Sequence, residues 1–383
     1  MPQVFKVADN IISSLGFDTA ENFRNIAGGI TGIRETGRYT LPGGKVYASL
    51  TDTVRLDEIS SSYIDPLRYT RLEKMIISSV HKAVDSTAID ITDPETIIIL
   101  STVKGNNDLI SGTGPFEPER IHLWKTASVV REHFASPNNP VVISSACISG
   151  TLAVVYATRL LRSGKYKNAV VCGADVVSQF IVSGFDCLKA VDYEPCRPFD
   201  ASRKGLSPGE GAATIVLSST LPSDKKDIIE IAGGSSSNDA NHISGPSRTG
   251  EGLVISIKKT FLDSGLDRVD FINAHGTGTL FNDEMESIAF SRCGLATKPV
   301  NSLKGYLGHT MGASGVIETV LCCRSLEENM LVRSYGFENQ GTSVALNMIT
   351  ETSSASLETC LKTSSGFGGT NATLLISKRH GNR

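Results

Sequence analysis

The chain is short of the features that would place it in several common classes. Its 37 Lys+Arg stand against 40 Asp+Glu, a formal net charge of −3 over 383 residues. A balance so near zero leaves no electrostatic footprint for nucleic acid or an anionic membrane surface. Cysteine is present at 147, 172, 187, 196, 293, 322, 323 and 360, but never as a C-x-x-C pair, and several of these positions lie in apolar runs. Neither a zinc or other metal site nor a disulfide framework is indicated, and the chain reads as reduced and cytoplasmic. The N-terminal run Met1–Val7 lacks the long apolar core of a signal peptide. The uncharged stretch from Phe134 to Thr158 contains Asn138, Asn139, two prolines and several hydroxyls, so it reads as a core strand plus helix, not a membrane span. No G-x-S-x-G elbow, P-loop, H-E-x-x-H or complete G-x-G-x-x-G motif occurs.

What is there is a repeated alternation of buried strands and helices. Thr96–Leu100, Val141–Ile143, Asn168–Gly173 and Ala213–Ser218 read as strands, and Leu67–Val84, Ile121–Phe134 and Thr151–Leu161 as helices. Residues 31–60 have no sustained period and read as irregular. After a polar run, Ser219–Lys226, the pattern starts again. Asp227–Ala232, Val269–Asn273, Pro299–Ser302, Val344–Ile349 and Leu374–Ser377 are strand signals, and Gly252–Ser264, Asp283–Cys293 and Gly312–Leu326 helix signals. The order of elements repeats: Thr96–Leu100 corresponds to Val269–Asn273, and Val141–Gly164 to Pro299–Glu327. This predicts an α/β chain of two duplicated halves with largely parallel sheets, residues 1–222 and 223–383.

Chemistry concentrates in the turns. Ser144-Ser145-Ala146-Cys147-Ile148 joins a buried strand to an apolar helix, and a thiol there would feel the helix's positive end, which favours thiolate. The alternative is a packed structural cysteine. In the second half, Ala274-His275-Gly276-Thr277-Gly278-Thr279 follows a strand, with glycines that admit close approach and hydroxyls on either side of Gly278. Lys304 and His309 follow the next strand, and Glu318 interrupts the apolar face of the helix beyond. A carboxylate there is costly unless paired, and Lys304 is its natural partner. Gly366-Phe367-Gly368-Gly369 could cradle an oxyanion with its backbone N–H groups. Cys322 and Cys323 lie inside a helix pattern and read as core.

Together, Ser145-Ala146-Cys147, His275-Gly276-Thr277-Gly278-Thr279, Lys304 through Gly308-His309, and Gly366-Phe367-Gly368-Gly369 resemble the β-ketoacyl-acyl-carrier-protein synthases, in their elongating Cys-His-His branch. Arg197-Pro198-Phe199-Asp200 and Gly209-Glu210-Gly211-Ala212 add to the resemblance. It implies a thiolase-like fold, two duplicated halves in five αβαβα layers. It also implies a decarboxylative Claisen condensation of malonyl-carrier with an acyl chain held on Cys147. In that scheme His275 and His309 stabilise the enolate, Lys304 sets the electrostatics with Glu318 holding it, and the Cys147 and Phe367 N–H groups form the oxyanion hole. Thr277, Thr279, Phe199, Ile148 and Phe367 would contact substrate, with Asp283 in support. No bound cofactor is implied, since substrates ride on the phosphopantetheine of an acyl carrier protein. The implied assembly is a homodimer, or a heterodimer with a related subunit. Arg68, Arg71, Arg203 and Lys204 are candidates for docking the acidic carrier.

The chain departs from the family pattern at Ile148, where many relatives carry a small residue, and in a short span from Ser101 to Cys147. The second departure, with Ser101-Thr102-Val103-Lys104-Gly105, resembles ketosynthases of aryl polyene and flexirubin-type pigment clusters. A non-catalytic chain-length-factor-like partner is the alternative reading, although such partners usually lose the nucleophile. A thiolase would bring a second catalytic cysteine near the C-terminus, where Phe367 stands instead.

Overall fold

The computed structural model describes residues 2–112, 115–221 and 227–380. The boundary expected between residues 222 and 223 lies outside them. In the first half, strands β1 (Phe5–Ser13), β2 (Ile33–Leu41), β3 (Gly44–Ser49), β4 (Thr96–Ser101), β5 (Val141–Ile143), β6 (Asn168–Asp175) and β7 (Gly211–Ser218) are interspersed with helices α1 (Thr19–Ala27), α2 (Thr53–Ser60), α3 (Arg71–Val84), α4 (Leu123–His133), α5 (Ser149–Arg162) and α6 (Gln179–Cys187). In the second, β8 (Asp227–Asn238), β9 (Phe271–Asn273), β10 (Pro299–Asn301), β11 (Met330–Leu331), β12 (Asn347–Met348), β13 (Ser353–Ser354), β14 (Thr359–Gly366) and β15 (Thr370–His380) alternate with α7 (Glu251–Ser264), α8 (Leu280–Arg292), α9 (Lys304–Leu307) and α10 (Ser314–Glu328).

Pairing repeats one topology twice. β1-β7-β6 run antiparallel, and β4 and β5 then add in parallel. β8-β15-β14 run antiparallel in the same way, and β9 and β10 add in parallel. Among the described residues the two half-sheets join through β1 and β8, at Phe5 opposite Glu230. Helices α5 and α10 lie between them, each contacting strands of both halves, while α3 covers the outer face of the first sheet and α7 that of the second. This is the five-layer thiolase-like arrangement.

The sequence explains the layers. Every residue of β4 is buried, as suits a β-branched run covered on both faces. α10 buries residues around its whole circumference, and so does the middle of α3, from Met75 to Val80, a helix that begins with a Thr70/Glu73 capping box. The two central helices meet backbone to backbone. A Cβ added at Gly315 would lie 2.1 Å from the Thr151 nitrogen, and one at Gly150 would lie 2.6 Å from the Val316 nitrogen. That contact brings the N-terminal ends of α5 and α10 together, and with them the turns before each helix.

Three segments differ from the sequence expectation. Residues 31–60 are not irregular; they hold the β2–β3 hairpin and α2. The loop after β6 contains α6. A closing strand, β14, went unread because Lys362, Thr363, Ser364 and Ser365 look exposed by type, yet all four are buried. Among the described residues, no helix is long and apolar enough to cross a membrane.

Candidate active site

Cys147 sits two residues before α5 and is 8% exposed. The preceding Ala146 has φ +45°, a left-handed conformation that a non-glycine residue adopts only where its surroundings hold it. The Ser149 side chain supplies part of that hold, its Oγ accepting from the Ser145 N–H at 2.8 Å and donating to the Ala146 carbonyl at 2.6 Å.

His275 leaves β9 in a turn whose N–H groups are taken by two acids of α8. Glu286 accepts from His275 N at 2.8 Å and Gly276 N at 2.7 Å, and Asp283 from Thr277 N at 2.9 Å and Gly278 N at 3.1 Å. Asp283 also accepts from Phe199 N at 2.7 Å. Gly276 has φ +40°, and a Cβ there would lie 2.6 Å from Phe199 Cε2. Phe199 is therefore packed beneath the histidine turn, away from the residues that line the cavity at Cys147. Glu286 was not singled out from sequence; acids three apart at the start of a half-buried helix were the available signal.

His309 follows α9 and Gly308. Its Nδ1 accepts the Met311 N–H at 3.2 Å, which assigns the ring proton to Nε2. That Nε2 and the Nδ1 of His275 are buried without a partner. The two rings stand at 81° with centroids 5.1 Å apart. The Cys147 sulfur and one ring nitrogen of each histidine all lie within 4.8 Å of one another. The trio is compact enough to surround a metal, but ligation through His309 Nε2 would require the proton that Met311 directs there to leave.

Behind the histidines lie fully buried charges. Lys304 Nζ donates to the His275 carbonyl at 2.6 Å and to Glu318 Oε1 at 2.7 Å. Burial, opposed by Glu318, lowers the Lys304 pKa. Burial and then the Lys304 charge push His275 well below its usual value and His309 down to about 3, so both rings are neutral at physiological pH. Burial pushes the Cys147 thiol up to about 11, against Lys304 and the Phe367 backbone N–H. This departs from the expectation of a helix-stabilised thiolate: in the resting site desolvation outweighs those groups. Asp175, also unforeseen, accepts from Thr102 Oγ1 at 2.7 Å and Gly312 N at 2.6 Å, tying the loop after β4 to the turn after His309.

Phe367 lies in the β14–β15 turn, its ring 6.3 Å from that of Phe185. One cavity at Cys147 is lined by both histidines, Thr277, Thr279 and Phe367, with the two threonine hydroxyls 2.8 Å apart. A second, almost wholly apolar one is lined by Phe180, Ile181, Phe185, Leu188, Met311 and Phe367. Ile148 is buried and lines neither. Of the basic candidates, Arg71 is bound to Glu210, and Arg203 is buried against the carbonyls of Asp200 and Gly341; Arg68 and Lys204 are exposed.

Comparison with known proteins agrees with this geometry. Residues 127–222 match the β-ketoacyl synthase N-terminal domain and residues 228–338 the β-ketoacyl synthase C-terminal domain. The chain is 30% identical over 299 residues to a 3-oxoacyl-[acyl-carrier-protein] synthase 2 of Coxiella burnetii, covering 72% of each protein. It is 32% identical over 264 residues to the tetracenomycin polyketide synthase ketoacyl synthase alpha subunit of Streptomyces glaucescens, covering 64% of this chain and 61% of that one. A solved structure of the ishigamide ketosynthase/chain length factor superposes with a TM-score of 0.87 at 25% identity, over 98% of this chain and 99% of that one. With the N-terminal and C-terminal domains of the family matched in order, at residues 127–222 and 228–338, the chain belongs to the β-ketoacyl synthase family.

Proposed function

We propose that the chain is a decarboxylative β-ketoacyl-acyl-carrier-protein synthase, with its nucleophile in residues 1–222 and both histidines in 223–383. The observation that carries this reading is the trio of Cys147, His275 and His309 gathered within 4.8 Å. An acyl group passes from a carrier's pantetheine sulfur to Cys147, and the thiol proton leaves with the departing pantetheine sulfur. Because the resting thiol is neutral, sulfur–carbon bond formation and proton loss are coupled, with a neutral imidazole at hand to relay the proton. Cys147 N–H and Phe367 N–H hold the developing oxyanion.

Malonyl-carrier then binds, with Thr277 and Thr279 beside its pantetheine arm. Breaking its C–C bond releases CO₂ and leaves an enolate, whose oxygen receives hydrogen bonds from the histidines. Neutral rings suit this role, since each can donate one N–H without carrying a charge into the pocket. The enolate carbon attacks the Cys147 thioester, the tetrahedral oxyanion collapses, and Cys147 is released and reprotonated. The product is a β-ketoacyl chain two carbons longer on the carrier. The apolar cavity walled by Phe185, Leu188 and Met311 suits an extended acyl chain, in fatty-acid, polyketide or aryl-polyene-type synthesis. Arg68 and Lys204 are the exposed cations left for carrier docking, in a homodimer or with a related subunit. Incubation with acyl-carrier and malonyl-carrier should yield β-ketoacyl-carrier, and Cys147→Ala should abolish it; wild-type turnover by that variant would sink the assignment. An intact Cys147 and paired histidines argue against the chain-length-factor-like role.

A further inference from the structure

Glu318 holds two lysines. Its Oε1 pairs with Lys304 and its Oε2 with Lys362, each at 2.7 Å, and both lysine side chains are fully buried. Lys362 comes from β14, the strand whose polar residues concealed it, and its Nζ also donates to the Thr363 carbonyl. The Thr363 hydroxyl reaches Glu286 at 2.9 Å, the acid that receives the His275 N–H. One carboxylate paired directly with two ammonium groups is an unusual arrangement, and buried charge is expensive unless it is paired and hydrogen-bonded.

We infer that Lys362 is a positioning residue that occupies Glu318, so that the positive charge of Lys304 is left over for the negative charge arising at Cys147 and the histidines. The inference rests on the ketosynthase reading for its purpose. The charged and titratable groups around the histidines are Cys147 at the elbow, Glu286 on α8, Lys304 on α9, Glu318 on α10 and Lys362 on β14. Glu286 adds a second buried carboxylate to the cluster, but its oxygens accept from the His275 and Gly276 N–H groups, Asn282 and Thr363 instead of pairing with either lysine. Without Lys362, Glu318 keeps the Ser314 hydroxyl and has Lys304 as its one paired cation, whose field it then offsets.

The test is alkylation of Cys147 by iodoacetamide at fixed pH, followed by mass spectrometry in wild type, Lys362→Met and Lys362→Arg. Alkylation needs no carrier, so it reads this inference even if condensation is never observed. Lys362→Met should alkylate about tenfold more slowly, the order expected when one unit charge is lost from a buried cluster at an effective dielectric near 20. Its condensation kcat should fall with little change in KM, and Lys362→Arg should restore both. Faster alkylation, the mark of a site merely loosened, or an unchanged rate would overturn the inference. If Lys362→Met does not fold, nitrogen-15 spectra of lysine-labelled wild type decide. Two ammonium groups shielded from exchange support it, and an uncharged amine at Lys362 overturns it.

Discussion

His309→Ala should lower malonyl decarboxylation by about 10²–10³, the effect of losing one preorganised oxyanion donor, while Cys147 still takes up an acyl group. The split follows from geometry. The Met311 amide fixes the His309 proton on Nε2, and His309 lines the cavity at Cys147, where a substrate oxygen can accept that N–H. The Cys147 thioester oxyanion depends on other donors, those of the backbone. Single-turnover measurement of ¹⁴CO₂ release from carrier-bound malonate, beside intact-mass detection of the acyl adduct, separates the two steps. Equal loss of both would show that His309 only supports the fold. Burial and Lys304 hold His309 near 3, so its donor state should persist as pH falls from about 8 to 5, with no acid limb there from this ring.

Gly315→Ala should cost far more than an ordinary surface change, because it strikes the contact on which both halves converge. Overpacking that side chains can absorb typically costs about 1–3 kcal/mol. Here the opposing atom is the Thr151 nitrogen at 2.1 Å, so α5 and α10 must separate or the protein must unfold. Loss of soluble protein, or a urea midpoint far below wild type, is the expected result. Gly184→Ala on α6 is the control, since a Cβ there meets nothing within 4 Å, and removing a helical glycine should stabilise by roughly 0.5–1 kcal/mol. Similar behaviour of the two variants would refute the close-contact account.

The sequence exposed what obeys periodicity and what sits in motifs. The duplicated order was legible because the same succession recurs: a buried strand at β4 and at β9, then a strand, a turn and a small-residue helix at β5–α5 and at β10–α10. The turns at Cys147, His275 and His309 were legible because small residues and glycines surround reactive ones. What escaped depends on partners distant in sequence. β14 looks polar, but its lysine and hydroxyls are buried against Glu318, Glu286 and Thr151. Arg71 and Arg203 looked like surface cations, yet Glu210 and the carbonyls of Asp200 and Gly341 take them inward. Ile148, adjacent to the nucleophile in sequence, turns into the core, because successive residues at a helix entry face different ways. The apolar cavity beside Cys147 is walled by α6, whose residues 179–187 carry no clear helical period in the sequence.

The resting thiol is the instructive case. Position at a helix start argues for thiolate, and burial argues against it, pushing the Cys147 thiol up to about 11. Activation is then a property of the loaded site, in which the oxyanion donors and the Lys304 charge act on a forming bond.

The central claim is that Cys147 carries the acyl chain. Intact-mass measurement of the protein after incubation with acyl-carrier tests it most directly. The account predicts one acyl increment, mapped to the Cys147 peptide and absent in Cys147→Ala. An unmodified protein, or an adduct that survives in Cys147→Ala, would contradict it.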